Sequence, residues 1–236
     1  RKIKNSFVEH GFYEVLSYSL VPEDNETLIK ISNPLLLETS CLRDNIWKEH
    51  LEIVNRNIKA GQTSCYIFEA GNIFYKNTEF IQEEILSGAI YGNREFGKWV
   101  NSGKENVLNY YQARGKLKES LSCLNIKIDD KPTNEIEFLH PGRTAKLFIE
   151  GKEAGYFGEI HPKLLLDKKA LRKIYLFSIN VEILLRASTR KNKWIPLFKQ
   201  YPIVPKMERD INFIFNRKYL ISQITTEIRK TGKDLL

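Results

Sequence analysis

Cysteine is scarce in this chain. Cys41, Cys65 and Cys123 are an odd count with no CxxC spacing, which argues against a disulfide framework or a zinc finger and leaves them as small buried hydrophobes. The four histidines, His10, His50, His140 and His161, form no HExxH and no i,i+4 pair, so no metal site is expected. No apolar run approaches the ~18–20 residues of a membrane span. The longest, Ile174–Ile179 and Val181–Leu185, are each broken by polar residues. The opening Arg1-Lys2-Ile3-Lys4 has no apolar h-region, so we expect no signal peptide. It also lacks Met, which reads as a fragment or a processed chain. Phosphate loops of the GxGxxG and GxxxxGK[ST] types are missing, as is a GxSxG elbow.

What is present belongs to a globular protein. Of 236 residues, 42% are hydrophobic and 28% charged, richer in apolar residues than a disordered chain. The length suits one large domain, or one domain and part of another. Ile and Lys are abundant and Ala is scarce, the usage of AT-rich organelle and low-GC bacterial genomes. The net charge of +8 suggests a polyanionic partner. Its distribution says more. Arg186, Arg190, Lys191, Lys193, Lys199 and Lys206 follow one another without an acid, with Trp194 and Tyr201 among them. Basic residues around aromatics suit phosphate contact and base stacking; a solvated linker with Trp194 as a plug is the competing reading.

Periodicity predicts the elements. Ile3, Phe7 and His10 fall at helical spacing before Gly11. Phe12–Val21 alternates as a strand, and Leu28–Ile31 reads as another. Ser40 opens an amphipathic helix with Leu42, Ile46, Leu51, Val54 and Ile58 on one face and Gly61 at its end. Trp47 lies off that line, so Arg43, Trp47 and Leu51 are candidates for a subunit interface. Cys65–Tyr75 and Glu84–Tyr91 read as strands, with Gly71 allowing a bulge. Glu105–Leu124 is a second amphipathic helix. Thr144–Glu150 and Glu153–Ile160 flank a turn at Gly151-Lys152. Pro162–Leu171 is a short helix and Lys173–Asn180 a strand. Beyond a basic segment, Arg209–Phe215 reads as a strand and Tyr219–Lys230 as a helix. The fold class is α+β, without the regular alternation of a parallel sheet.

Two acidic features bear on chemistry. Asp129-Asp130 is expected on an exposed turn. Glu69, inside the apolar run Ile67-Phe68-Glu69-Ala70, needs a buried partner or faces a cleft. No catalytic residue stands out.

Six motifs in order resemble one family, the β subunit of bacterial-type phenylalanine–tRNA ligase, in its C-terminal half. Phe12–Val21 resembles its GFQEVITYSFV. Ile31–Leu35 with Glu38–Ser40 and Leu42-Arg43 resembles NPLSxExSxLRxSL. Ile67–Phe74 resembles LFEIGRVF, Leu139–Ala145 resembles the HPGRSA pattern, and Gly155–Pro162 is similar to GxxGELHP. Pro205 with Arg209-Asp210-Ile211 resembles the PxxxRDI opening of the ferredoxin-fold anticodon-binding domain.

The resemblance implies a class II synthetase-like antiparallel sheet with flanking helices over residues 1–186. A basic linker would follow at 187–198, then the start of an anticodon-binding domain at 199–236. In the family this module is catalytically silent and pairs with a catalytic α subunit in an α2β2 assembly. The complete enzyme uses ATP, Mg²⁺, phenylalanine and tRNA(Phe); no site for ATP, Mg²⁺ or phenylalanine is expected in this fragment. A working class II site has an Arg two residues before the strand's Glu. Ile67 stands there, so an α-phosphate clamp is missing. The resemblance also points to tRNA contact through Arg190, Lys191, Lys193, Lys199, Lys206, Arg209, Lys218, Arg229 and Lys230. Residues 205–210 look closer to cyanobacterial and plastid members, which favours a plastid stroma, with a bacterial cytoplasm as the alternative. The rival functions are a stand-alone RNA-binding module and a ligase competent by itself.

Overall fold

The computed structural model describes residues 1–24, 26–92, 107–165, 173–189, 198, 200, 205, 207–216 and 218–233. The chain divides into two compact units, Arg1–Pro196 and Leu197–Leu236.

The first unit is built on a seven-stranded sheet. Its strands are β1 (Tyr13–Glu14), β5 (Cys65–Lys76), β6 (Phe80–Tyr91), β7 (Ile128–Pro132), β8 (Leu139–Ile149), β9 (Lys152–Ile160) and β10 (Ile174–Asn180). They lie in the order β1-β5-β6-β10-β9-β8-β7. Every pairing is antiparallel except that of β1 with β5. A smaller antiparallel sheet places β4 (Cys41–Leu42) between β2 (Leu20–Val21) and β3 (Ile29–Lys30). The expected α+β class, with a mostly antiparallel sheet, is what forms.

The central strands are buried on both faces, so they read as continuous apolar runs. Successive side chains alternate between two cores. Tyr66, Phe68, Tyr175, Phe177 and Ile179 point to one core. There they meet α1 (Lys2–Glu9), α3 (Tyr110–Leu121) and α4 (Val181–Ser188) through Phe7, Leu117 and Leu184. Cys65, Ile67, Ile174 and Leu176 point to the other, under α2 (Trp47–Lys59) with its Trp47 and Val54.

Several expectations need correction. Phe12–Val21 is not one strand. Its ends join different sheets as β1 and β2, because Ser17 between them is drawn inward to Glu69. The helix expected from Ser40 begins only at Trp47. Leu42 is taken into β4, paired with both Leu20 and Ile29, and the Asn45 Oδ1 accepts the Trp47 N–H at 3.1 Å, marking the true start. The hairpin turn falls on Glu150-Gly151, whose φ values of 52° and 81° suit a primed two-residue turn. Asp129-Asp130 lies in β7, not on a turn, and Asp130 takes a bidentate bond from Arg114 at 2.7 and 2.8 Å. Gly71 makes no bulge, since β5 and β6 pair continuously through it.

Helix α3 starts at Asn109, where Asn109 and Gln112 form a reciprocal capping box. Pro162–Leu164 is a single 3-10 turn, and residues 166–171 of the helix expected over Pro162–Leu171 lie outside the described residues. Helix α4 has no counterpart among the expected elements. Asn180 caps it by accepting the Ile183 N–H at 3.0 Å, and its Ala187 and Ser188 are buried.

In the second unit, helix α5 (Ile221–Gly232) forms where one is expected. Residues 207–216 carry no strand, although Arg209–Phe215 has the pattern of one. Ile211, Phe213, Ile214 and Phe215 are all exposed. A strand is held by a paired neighbour, and the described residues of this unit offer none.

Candidate functional site

The polar centre of the first unit lies between β5 and α2. Glu69 sits on the α2 face of β5, opposite Ser87 of β6. It is 2% exposed, yet it is met by a full set of donors. Arg43 donates from Nη2 to Oε1 at 3.0 Å. Ser17 donates to Oε2 through both its N–H, at 3.1 Å, and its hydroxyl, at 2.6 Å. The His50 Nε2 stands 3.7 Å from Oε2, beyond hydrogen-bond length.

Arg43 follows directly on β4 and points inward. Its Nε donates to the Asn72 carbonyl at 2.9 Å and its Nη1 to the Ser17 hydroxyl at 2.7 Å. Its own N–H bonds Ser19 O at 3.0 Å, and its carbonyl accepts the Phe74 N–H at 2.9 Å. One arginine therefore ties the small sheet to the large one. Gly71 is the room this needs: a Cβ there would lie 2.5 Å from Arg43 Nη2 and 2.8 Å from Glu69 Oε1.

The electrostatics follow. Burial alone would raise the Glu69 carboxyl, but His50, Ser17 and Arg43 outweigh it and hold it down at about 2. Burial lowers the His50 pKa, and the neighbouring Glu69 offsets this only in part. The imidazole is therefore neutral near pH 7.

Ser87, His50 and Glu69 have the composition of a hydroxyl–imidazole–carboxylate relay. The Ser87 Oγ is 3.4 Å from His50 Nδ1. The geometry denies it that role. Ser87 and His50 are 0% exposed, and the Ser87 hydroxyl donates to the Phe177 carbonyl at 3.1 Å. No substrate atom can reach a fully enclosed nucleophile. Of the two readings of Glu69, the buried structural pair is the one that forms. Among the described residues no group of three or more His, Cys, Asp or Glu is placed to hold a metal ion.

The interface candidates are placed differently from expectation. Arg43 precedes α2 and is buried. Trp47 is 8% exposed, with its indole Nε1 donating to the Phe177 carbonyl at 3.1 Å and its ring 5.9 Å from Phe138. It is a core residue, because α2 begins there and turns the indole onto the sheet. Leu51 is half-buried against the same core.

Of the RNA-binding candidates, Arg190, Lys191, Lys193, Lys199 and Lys206 lie outside the described residues, as do Trp194 and Tyr201. Arg209, Lys218, Arg229 and Lys230 are exposed. The Lys218 Nζ stands 5.0 Å over the Tyr219 ring, and Lys230 is 3.8 Å from Glu227. Arg229 and Lys230 lie in the last turn of α5 and Lys218 precedes its start.

One surface feature has no counterpart in the sequence reading. Leu35, Leu36 and Leu37 are 98%, 62% and 87% exposed. They adjoin a groove of about 540 Å³ lined by Pro22, Glu23, Lys30, Ile31, Pro34, Leu37, Glu38 and Ser40. Three consecutive leucines are the signal that could have found it.

The Arg43–Glu69 cluster is a buried structural pair inside an α+β domain. The family model for the phenylalanyl-tRNA synthetase beta chain CLM domain matches residues 1–181, and the chain belongs to that family. Its relatives include proteins named phenylalanine–tRNA ligase beta subunit. The chain is 80% identical over 236 residues to that of Prochlorococcus marinus strain MIT 9312, covering all of this chain and 29% of that protein. It is 44% identical to that of strain NATL2A, again over the whole chain and 29% of the relative. It is 42% identical to that of Synechococcus sp. strain CC9902, over the whole chain and 30% of the relative. The chain thus spans under a third of the length of these curated relatives.

Proposed function

We propose that the chain is a catalytically silent part of the phenylalanine–tRNA ligase β subunit. It scaffolds the catalytic α subunit in an α2β2 assembly, and its C-terminal part contacts tRNA(Phe). The observation that carries the silent role is the fate of Arg43. This cation reaches Glu69 from the end of β4, not from two positions earlier on β5, and it is spent on a buried carboxylate. Among the described residues no second cation stands there to clamp a phosphate. The described donor set does not suit Mg²⁺ either, which takes carboxylate oxygens that are not already paired. On this reading ATP, Mg²⁺ and phenylalanine are used by the complete enzyme.

On this reading residues 1–186 are a class II synthetase-like module, 187–198 a basic linker and 199–236 the start of a ferredoxin-fold anticodon-binding domain. The exposed apolar side chains of 211–215 support the last point, since a strand left without its neighbours would expose them. The cyanobacterial relatives are consistent with a plastid stroma and equally with a bacterial cytoplasm.

Co-expression with the matching α subunit tests the proposal. The expected result is co-purification, with no phenylalanine-dependent pyrophosphate exchange by the chain alone. Exchange by the chain alone, abolished in Glu69→Gln, would establish an independent ligase. RNA binding without α-subunit capture would favour the stand-alone module.

A further inference from the structure

The small sheet is lightly built. Its strands β2, β3 and β4 are two residues long each. Of the described residues from 16 to 43 only Leu28, Cys41 and Arg43 are buried, and neither of the two apolar ones belongs to the cores on the large sheet. Little apolar burial therefore opposes its separation from the rest, which is the mark of a segment that opens locally. Its ion pair with α2, Asp24 to Lys48, is exposed and holds weakly. The firm ties are Ser17 and Arg43, one near each end of the segment, and both end on Glu69.

A third group faces the same carboxylate. The His50 imidazole is buried, and its Nε2 makes no hydrogen bond although it stands 3.7 Å from Glu69 Oε2. A buried polar atom left unpaired costs stability, so its placement needs a reason. The charged groups that face His50 are Glu69 from β5 and Arg43 from the end of β4, while β6 offers only the Ser87 hydroxyl. With Arg43 in place, a second cation beside it is opposed. Once Ser17 and Arg43 leave, Glu69 keeps its charge and loses their hydrogen bonds. Protonated His50 is then the cation in position to pair with it.

We propose that residues 16–43 are an acid-released flap: the small sheet opens as a unit from the large one when His50 takes a proton and replaces Ser17 and Arg43 as the partner of Glu69. The unpaired Nε2 is the reserve donor of the open state. The large sheet and its two cores stay folded, because the flap contributes no side chain to them.

Native-state amide hydrogen exchange of the 236-residue chain, followed residue by residue from about pH 7.5 to about pH 5, tests this. The reporters are the Ile31 N–H, which donates to Ser40 O, and the Arg43 N–H, which donates to Ser19 O. The open state takes up the proton first. Their protection, corrected for the intrinsic rate, should therefore fall about tenfold per pH unit below the ordinary imidazole value of 6.5. It should respond little to low urea, since the flap exposes little surface, whereas the amides of β6 and β10 follow global unfolding. Glu69, held at about 2, stays ionised throughout, and Glu49 on α2, raised by burial, works in the opposite direction. His50→Gln should abolish the fall while both amides stay protected. Protection independent of pH, a fall that His50→Gln retains, or exchange that tracks β6 and β10 in urea overturns the flap. The wild-type urea series decides alone if His50→Gln does not fold.

Discussion

Replacing Arg43 by methionine should cost about 3–5 kcal/mol of unfolding free energy, the usual penalty for leaving a buried charge without its partner. Glu69 is 2% exposed and Arg43 equally enclosed, so water cannot make good the loss. The variant also strips donors from Ser17 Oγ and Asn72 O. Adding Glu69→Gln removes the charge that Arg43 balanced. The double variant should then be more stable than the sum of the two single losses implies, by about 2 kcal/mol or more. Acid gives a second handle. The Glu69 carboxyl lies at about 2 against a reference of 4.5, an upper bound of about 3 kcal/mol at one pKa unit per 1.36 kcal/mol. Because the folded value is depressed, that stability is complete above about 4.5 and is lost as pH falls toward 2. Urea unfolding of the four proteins of the cycle, each at neutral pH and at about pH 3, measures both. Additivity of the two substitutions within about 0.5 kcal/mol, or an acid limb unchanged in Glu69→Gln, would refute the account of the network.

Other outcomes follow from the same geometry. Trp47→Ala should lower stability by about 3–5 kcal/mol, whereas Trp47→Phe loses one hydrogen bond and about 1 kcal/mol; thermal unfolding of the chain alone separates them. Gly71→Ala should destabilise by about 1–3 kcal/mol, since its Cβ meets Arg43 and Glu69, and should lose most of this penalty in an Arg43→Met background. His50, lowered by burial, should make stability fall as pH drops below about 6.5, because the unfolded chain takes up the proton first; His50→Gln should flatten that limb in a pH series of denaturation midpoints. Replacing Lys218, Arg229 and Lys230 by Gln should reduce the salt slope of log K for tRNA by about 0.7–0.9 for each phosphate no longer neutralised. A slope equal to wild type would assign these residues to an ordinary solvated face.

The strands are legible where one physical signal dominates. Cys65–Phe68 and Ile174–Phe177 bury both faces, so their apolar residues run consecutively, and the expected strands Cys65–Tyr75 and Lys173–Asn180 match the bounds of β5 and β10 closely. Helix α2 misleads at its start because Leu42 fits the apolar spacing of the helix as well as it fits β4. Only tertiary pairing with Leu20 and Ile29 decides between them. Glu69 announces itself as a carboxylate in need of a partner. Its partners come from 52, 26 and 19 positions earlier in the chain, as Ser17, Arg43 and His50, and no local pattern encodes such distances. Gly71 reads as a bend because backbone freedom is the commoner use of glycine. Its use here is space for a guanidinium. Arg209–Phe215 shows the reverse failure: the alternation is present, but pairing is not a property of one strand.

The position of β10 has a consequence for how the chain is made. It is the last strand of the large sheet to be synthesised, yet it lies in the middle, between β6 and β9. Until residue 180 is available, the nascent chain holds two separate half-sheets, β1-β5-β6 and β9-β8-β7, each with an unsealed inner edge. Both edges carry large buried apolar side chains, Ile85, Leu86 and Ile90 on one and Phe157 and Ile160 on the other. Such edges invite pairing with a second chain. Closing the sheet late, over long sequence separations, makes folding slow. Translation pauses or truncations before Ile174 would therefore leave the most aggregation-prone form of this protein.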